Sequence, residues 1–478
     1  QKFLTRYEMI PFCKTDEGMV VILSDPSNQE ALAAARDLFQ SKIVPAINTR
    51  ENILQAVDGI ENLLAHRVAG EQQSDIIDIV DQLILDAVDL NVSDIHIEPL
   101  GKTLRVRFRK DGVLIHKTDI PKNMQEAILS RVKVLSGADI ANKRRHQDGK
   151  INFDYYGTRV DIRMSSYVSI YGETIVLRLL NQKQSLRNLH ELGMAKKTEE
   201  RYIEEVLEPS SGVVIFTGPT GSGKTTTLYS SLDFINSQSL KIITAEDPVE
   251  YVIDGIVQCS VKPEFGLTFE DTLKAMMRQD PDVIVMGEIR DKTTAAVAIQ
   301  AALTGHKVFS TFHTEDSIGG IIRLIDMDIE TFLISSTVLS VVAQRLLRRV
   351  CPACKEKHIP SAVDQRRLAL DPEDVARFTF YQGRGCTLCG HTGYSGRVGI
   401  YEVLVLSEAL RNAVLEKKTS YEIRRIGIEH TGLTTMLEDG LVKAARGLTS
   451  LDEIRRCVPY SSKPRPMDVI QRLTEGLA

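Results

Sequence analysis

The chain has 478 residues, a formal net charge of −5, a pI near 6.1, and 43% hydrophobic and 26% charged residues. This is the make-up of a globular protein of about three domains, and it excludes both a disordered chain and one held to nucleic acid or an anionic bilayer by a global basic field. No apolar run approaches the ~18 residues of a membrane span, and the opening Gln1-Lys-Phe-Leu-Thr5 lacks a signal-peptide core, so any membrane role is expected to be peripheral.

The chain opens on Gln1 rather than Met, as expected of a sequence that is trimmed or begins inside a longer protein. Residues 1–60 read as a small, incomplete α/β unit, with a strand at Met19–Leu23, a turn at Asp25-Pro26 and a helix over Gln29–Phe39; the expectation is a docking or regulatory domain. Residues 61–74 read as a linker. A second domain, 75–190, starts with a helix that Ser74 can cap, with Ile76, Ile77, Val80, Leu83, Ile84, Ala87 and Val88 at helical spacing as its core stripe. Alternating segments at Asp94–Glu98 and Leu104–Arg109, with a turn at Lys110-Asp111-Gly112, predict hairpin strands. They place Arg105, Arg107 and Arg109 on one face, either a solvated surface or an anion or subunit contact. Further strands are expected at Lys150–Asp154, Thr158–Ser165 and Glu173–Leu180, with a turn at Tyr156-Gly157.

After a second linker, 191–208, residues 209–478 change to short buried strands alternating with helices: Val213–Thr217, Lys241–Ala245, Asp282–Met286 and Lys307–Thr311. This pattern predicts a parallel sheet with helices packed on it. Between the first strand and a helix over Thr225–Phe234 lies Gly218-Pro219-Thr220-Gly221-Ser222-Gly223-Lys224-Thr225, followed by Thr226. This is the G-x-x-x-x-G-K-[S/T] phosphate loop in its required context. Its glycines let backbone N–H groups close on phosphate oxygens, Lys224 reaches the β- and γ-phosphates, and the Thr225 hydroxyl can ligate Mg²⁺. The site predicted is one for ATP and Mg²⁺.

Two acidic groups follow predicted strands: Glu246 in Glu246-Asp-Pro-Val-Glu250, and Glu288 after Asp282-Val-Ile-Val-Met-Gly287. Ligands of parallel sheets bind at the carboxyl ends of strands, so one acid can polarise water while the other organises Mg²⁺. Position favours Glu246 as the base, the alternatives being Glu288 as base and Glu246 as a mere turn cap; Gly287 stands in place of the usual Asp, so Glu288 is expected to act on Mg²⁺ through water rather than as a direct ligand. His306 and His313 bracket the fourth strand and are expected near one sheet edge, His313 better placed to bond the γ-phosphate.

Seven cysteines, four of them in C-x-x-C pairs, suit a reducing cytoplasm better than a disulfide framework. Cys351-Pro-Ala-Cys354 and Cys386-Thr-Leu-Cys389 read as a structural four-thiolate Zn²⁺ site in a subdomain at 351–400, with redox pairs or unliganded thiols as the alternatives. Beyond residue 350 the chain is expected to be increasingly helical.

Taken together, Ser93-Asp-Ile-His-Ile-Glu-Pro99, Gln147-Asp-Gly149, the phosphate loop, Ile243–Glu250, Arg278-Gln-Asp-Pro-Asp282, Gly287-Glu-Ile-Arg-Asp291, Leu303-Thr-Gly-His306, Ser310–Thr314, Ala343-Gln-Arg-Leu346, the four cysteines and Gly396–Glu402 resemble the secretion-superfamily ATPases of type II secretion and type IV pilus assembly (GspE/PilB) over nearly the whole chain. The resemblance implies an α/β fold: a RecA-like P-loop ATPase domain, an α+β (PAS-like) amino-terminal domain, a partial first domain and a zinc-binding insertion. It implies a cytoplasmic homo-hexamer, peripheral at the inner membrane, working with an inner-membrane platform and docking proteins and with no nucleic acid. Glu246 then falls in the family's Asp box, Glu288 in its Walker B element, and His306 and His313 in its His box. Arg163 and Arg178 would touch the γ-phosphate and Arg278 would lie near a subunit boundary, leaving Arg105, Arg107 and Arg109 a packing or subunit-contact role. Lys150 stands where the family usually has Arg, and Phe312-His-Thr-Glu-Asp316 where it usually has Leu-His-Thr-Asn-Asp. The function expected is a motor for pilin or pseudopilin assembly; the alternatives are a nucleic-acid translocase on the same core and a non-hydrolysing scaffold, the latter disfavoured by the intact Lys224, Thr225, Glu246 and Glu288.

Overall fold

The computed structural model describes residues 7–15, 18–39, 41–50, 52–53, 73–180, 186–262, 265–460 and 462–475. The chain divides into two units, Gln1–Leu180 and Asn181–Ala478. Residues 61–72 and the Ser74 side chain, expected as a linker and a helix cap, lie outside the described residues.

In the first unit a small sheet of order β1-β2-β3 combines Met9–Thr15, Gly18–Leu23 and Ile43–Ile47. The helix Gln29–Phe39 buries Ala31, Leu32 and Ala35 against Met9, Val21, Leu23 and Ile43. A second sheet has six antiparallel strands: β4 (Asp94–Pro99), β5 (Thr103–Lys110), β6 (Val113–Pro121), β7 (Gln147–Tyr155), β8 (Thr158–Ser169) and β9 (Gly172–Leu180), in the order β6-β5-β4-β9-β8-β7. One of its faces buries Ile95, Ile97, Val106, Phe108, Ile151, Ile162 and Leu177 with the helices Gln73–Asp89 and Gln125–Ser136, the other carries charge, and this single-sided burial produces the alternation read from the sequence. Val80, Leu83, Ile84 and Ala87 are core as expected, but Ile77 is 38% exposed, because the stripe is too wide for the one face this helix buries.

The second unit is built on a seven-stranded sheet of order β12-β11-β13-β14-β10-β15-β18. Its strands are β10 (Gly212–Thr217), β11 (Ile242–Glu246), β12 (Val257–Ser260), β13 (Val283–Met286), β14 (Lys307–Phe312), β15 (Val338–Val350) and β18 (Tyr394–Val405). The first six run parallel and β18 is antiparallel to β15. Strands β10, β11, β13 and β14 are buried throughout, as strands covered on both faces must be. Val213, Ile215, Ile284 and Met286 face the helices Phe269–Met276, Lys292–Leu303 and Ser317–Asp326, while Val214, Phe216, Val285 and Phe309 face the helix Lys224–Ile235 and residues 189–207.

Two expectations are corrected. Residues 191–208 are no linker: Leu192, Met194, Tyr202, Val206 and Leu207 are buried in the core of the second unit, which starts at Asn181 and so takes in the whole of the expected linker. The long β15–β18 pair is absent from the sequence reading, which saw helix growing beyond 350; the two strands are separated by over forty residues of insertion, so nothing local announces their pairing. Within that insertion β16 (Lys355–His358) pairs with β17 (Phe380–Gly383), with Cys351 and Cys354 just before β16 and Cys386 and Cys389 just after β17. The helical character expected beyond residue 350 does hold after β18, from Glu408 to Glu475.

Candidate active site

At the carboxyl end of β10 the chain turns through Gly218, Gly221 and Gly223, all at positive φ, into the helix Lys224–Ile235. Two of these positions allow nothing larger. A Cβ on Gly218 would stand 2.4 Å from the Gln344 carbonyl oxygen, and one on Gly223 would stand 2.8 Å from Gln344 Nε2. Lys224 is buried, and its Nζ donates to the carbonyls of Gly218 at 2.7 Å and Pro219 at 3.1 Å, so the loop is closed on its own lysine. Burial pushes this ammonium down to about 8, while the charge of Glu288 pulls it back up. Thr225, on the first turn, is exposed.

Three further strand ends lie on the same edge of the sheet as this loop. Thr217 closes β10 and is tied to the segment after β14 by the Thr314 N–H, which donates to Thr217 Oγ1 at 2.9 Å. Glu288 follows β13 and lies between Arg290, which donates to its Oε1, and His313, whose Nε2 is 3.4 Å from its Oε2. Lys224, Glu288 and His313 are thus brought together, and Arg290, which the sequence reading did not single out, joins them. Glu246, at the end of β11, is 5% exposed and accepts from Thr244 Oγ1 at 2.6 Å, from Gln258 Nε2 at 3.3 Å and from the Tyr229 hydroxyl. Burial and then the bond to Glu246 push the Tyr229 hydroxyl well above its usual range, so it stays a donor. Of the two acids, Glu288 is the one whose charge Lys224 feels.

The expectation that His306 and His313 share a sheet edge is wrong. They flank the six-residue strand β14 at opposite ends, about 20 Å apart at ~3.3 Å per residue, so His306 lies at the amino end of the sheet, away from the loop. There its Nδ1 is 2.9 Å from the Ala301 carbonyl and 3.0 Å from Thr304 Oγ1. Arg278 is exposed just after the helix Phe269–Met276 and ahead of the amino end of β13, so it too is remote from Glu288 along that strand.

In the first unit the register sets Arg109, Asp94, Arg178, Arg163 and Lys150 directly across five successive strands, β5, β4, β9, β8 and β7, so all five project from one face. The row carries four cations and one carboxylate. Asp94, 5% exposed, accepts from Arg178 Nε at 3.0 Å and lies 3.7 Å from Arg109. Arg163 is exposed and has no ion-pair partner among the described residues. Arg107 is clamped by Glu98 at 2.6 and 2.8 Å, and Arg105 by Asp119 at 3.2 Å, which fits the packing role expected of them.

The cysteines Cys351, Cys354, Cys386 and Cys389 converge with all four Sγ atoms within 4.8 Å of one another. A tetrahedral Zn²⁺ with ~2.3 Å bonds requires sulfurs about 3.8 Å apart. Here Cys351–Cys386, Cys354–Cys389 and Cys386–Cys389 stand at 3.9, 4.0 and 3.8 Å. The N–H groups of Gly385, Cys386 and Gly393 donate to Sγ of Cys354 or Cys389 at 3.2–3.3 Å, the outer support that thiolate ligands need. The donor set fits zinc.

A mostly parallel sheet covered on both faces, with a phosphate loop after the interior strand β10 and carboxylates at the carboxyl ends of β11 and β13, defines a RecA-like P-loop ATPase. Family comparison agrees. The model for the type II/IV secretion system protein family matches residues 69–456, and the chain belongs to that family; an MshEN domain model matches residues 1–65. Type II secretion system protein E of Pseudomonas aeruginosa is 43% identical over 388 residues, covering 81% of this chain and 76% of that protein. Type IV pilus assembly ATPase PilB of Thermus thermophilus is 38% identical over 471 residues, covering 94% of this chain but only 53% of that protein. Among solved structures, the pilus retraction motor PilT with bound ADP superposes with a TM-score of 0.51 at 26% identity, covering 80% of this chain and 97% of that one. The ATPase DotB of Legionella pneumophila, at 22% identity, shares the fold with a TM-score of 0.57 over 79% of this chain and 94% of its own. The chain is accordingly an ATP-hydrolysing enzyme of the secretion and pilus-assembly class.

Proposed function

We propose that this chain is the motor of a type II secretion or type IV pilus assembly machine: a homo-hexamer on the cytoplasmic side of the inner membrane, coupling ATP hydrolysis to pilin or pseudopilin assembly through a membrane platform and docking proteins. The observation that carries it is the cluster of Lys224, Glu288 and His313 at the carboxyl end of the sheet. No described helix is long and apolar enough to cross a membrane, which accords with peripheral attachment.

Mg²⁺, when bound, supplies charge neutralisation between the β- and γ-phosphates; the exposed Thr225 hydroxyl and Glu288 are the groups that would hold it. Lys224 gives up the Gly218 and Pro219 carbonyls for phosphate oxygens, which restores full solvation-like pairing to a desolvated ammonium. His313, 3.4 Å from Glu288, would report the presence of the γ-phosphate. Glu246, one strand further from the loop, would take the proton of the attacking water, with Tyr229, Thr244 and Gln258 fixing its orientation. Arg163 and Arg178 would neutralise charge on the transferring phosphoryl group, a role worth about 10³–10⁵ in rate where guanidinium groups perform it. Asp94 holds Arg178 ready, while Arg163, without an ion-pair partner among the described residues, is free to engage. Arg278 is proposed to act at a boundary with another subunit. His306 is assigned no part in the chemistry of this chain's own loop.

The test is steady-state hydrolysis by the assembled protein. Arg163→Ala is expected to bind Mg·ATP as wild type does and to lose turnover by at least a hundredfold; unchanged hydrolysis overturns the role.

A further inference from the structure

The helix that opens at Lys224 is hydrogen-bonded along one side to the stretch that precedes the ATPase core in the chain. The Thr227 hydroxyl, one turn into the helix, donates to Gln344 Oε1 at 2.8 Å; Gln344 Nε2 donates to the Tyr401 hydroxyl at 3.3 Å; and that hydroxyl donates to the Leu192 carbonyl at 3.2 Å. Thr227, Gln344 and Tyr401 are each 2% exposed or less. Every donor in the chain is used once and every bond points the same way, a head-to-tail order in which each bond polarises the next. Two further contacts repeat the connection. Ser230 Oγ donates to the Arg187 carbonyl at 2.7 Å, and the Tyr202 hydroxyl meets Ser231 Oγ at 2.8 Å, necessarily as donor, since Ser231 gives its own proton to the Thr227 carbonyl.

Gln344 is also the wall of the phosphate loop. Its carbonyl faces Gly218 and its side-chain amide faces Gly223, at separations that leave no room for a methyl group. Lys224 closes the loop on the Gly218 and Pro219 carbonyls, and a phosphate that takes all the donors of its ammonium replaces both bonds. A loop that rearranges towards Gln344 displaces the Gln344 backbone, and one that carries Lys224 with it moves the helix bearing Thr227. Either movement reaches Tyr401 and Leu192.

We propose that Gln344 and Tyr401 are positioning residues of the phosphate loop, registering it against residues 187–202, so that occupancy of the loop alters the protection of that stretch. The inference rests on the nucleotide site described above and adds a route by which its state leaves the site. It is tested by amide hydrogen exchange on the full chain with and without saturating Mg·ADP, alongside steady-state kinetics. In wild type, Mg·ADP is expected to slow exchange at least fivefold both in 218–227 and in 187–202. Tyr401→Phe, which keeps the ring and removes only the hydroxyl, is expected to retain protection of the loop and KM within twofold, to lose the nucleotide-dependent protection of 187–202, and to lower kcat about tenfold. Thr227→Val, which cuts the relay at its other end, is expected to behave alike and serves if Tyr401→Phe does not fold. Protection of the loop without any change at 187–202 in wild type, or an unaltered response in either folded variant, overturns the proposal. Absence of protection at the loop itself removes the nucleotide-site reading and this inference with it.

Discussion

Replacing Glu246 separates its structural duty from its chemical one. The carboxylate receives three donors, the hydroxyls of Tyr229 and Thr244 and the amide of Gln258, and both hydroxyl-bearing residues are fully buried. Glu246→Ala leaves them without an acceptor at about 1–3 kcal/mol for each that cannot turn elsewhere. Gln258 also donates to the Tyr251 carbonyl and the Thr244 hydroxyl can rotate, so a net loss of about 3 kcal/mol is expected. Glu246→Gln keeps one acceptor oxygen, and its new N–H₂ can donate to a hydroxyl that turns to accept, since hydroxyls do both. Its stability should therefore stay within about 1 kcal/mol of wild type. If Glu246 is the base, the glutamine variant still loses a factor of about 10²–10⁴ in kcat. Phosphate release, thermal melting and Mg·ATP affinity measured together decide the matter. A folded Glu246→Gln protein turning over within threefold of wild type refutes the reasoning and passes the role to Glu288.

Asp94→Asn removes the charge that holds Arg178 in the row, and kcat is expected to fall about tenfold with nucleotide affinity unchanged; a rise in KM alone would assign Asp94 to folding instead. Cys389→Ser should abolish binding of one Zn²⁺ per chain and unfold the insertion first, seen as new proteolytic cleavage between 351 and 400; full metal retention in elemental analysis defeats the site. Burial alone would raise the carboxyl of Glu453, but the guanidinium groups of Arg456 and Arg348 outweigh it and hold it down at about 2. A depressed carboxyl contributes stability above its unfolded value of 4.5, lost as pH falls through about 2. With Arg456 44% exposed to screening water, we expect the contribution to be about 2 kcal/mol. Glu453→Gln should thus be less stable than wild type at pH 7 and converge on it towards pH 2 in urea melts; an equal gap at both pH values contradicts the pairing.

The readings that held were those whose cause lies within a few residues. The phosphate loop is such a case: glycines at positive φ, a lysine and a helix start are adjacent in the chain, as are the turn at Asp111-Gly112 and the alternation of β5. What misled was reasoning across a strand's length. His306 and His313 are close in sequence, yet an extended strand carries them to opposite ends of the sheet. The cysteine pairs were legible because each C-x-x-C forms a hook by itself, whereas the β15–β18 pair that brings the two hooks together was not.

By itself, then, the sequence determined the nucleotide loop, the acids at the strand ends, the thiolate quartet and the family, since each is written in short segments whose backbone geometry is local. Only the tertiary structure decided that Arg109, Asp94, Arg178, Arg163 and Lys150 form one row, that Glu288 rather than Glu246 lies within reach of the charge on Lys224, and that Gln344 walls the loop. These depend on strand order and register, set by burying apolar faces against elements remote in the chain, and a shift of one residue in a strand would have turned its member of that row to the other face.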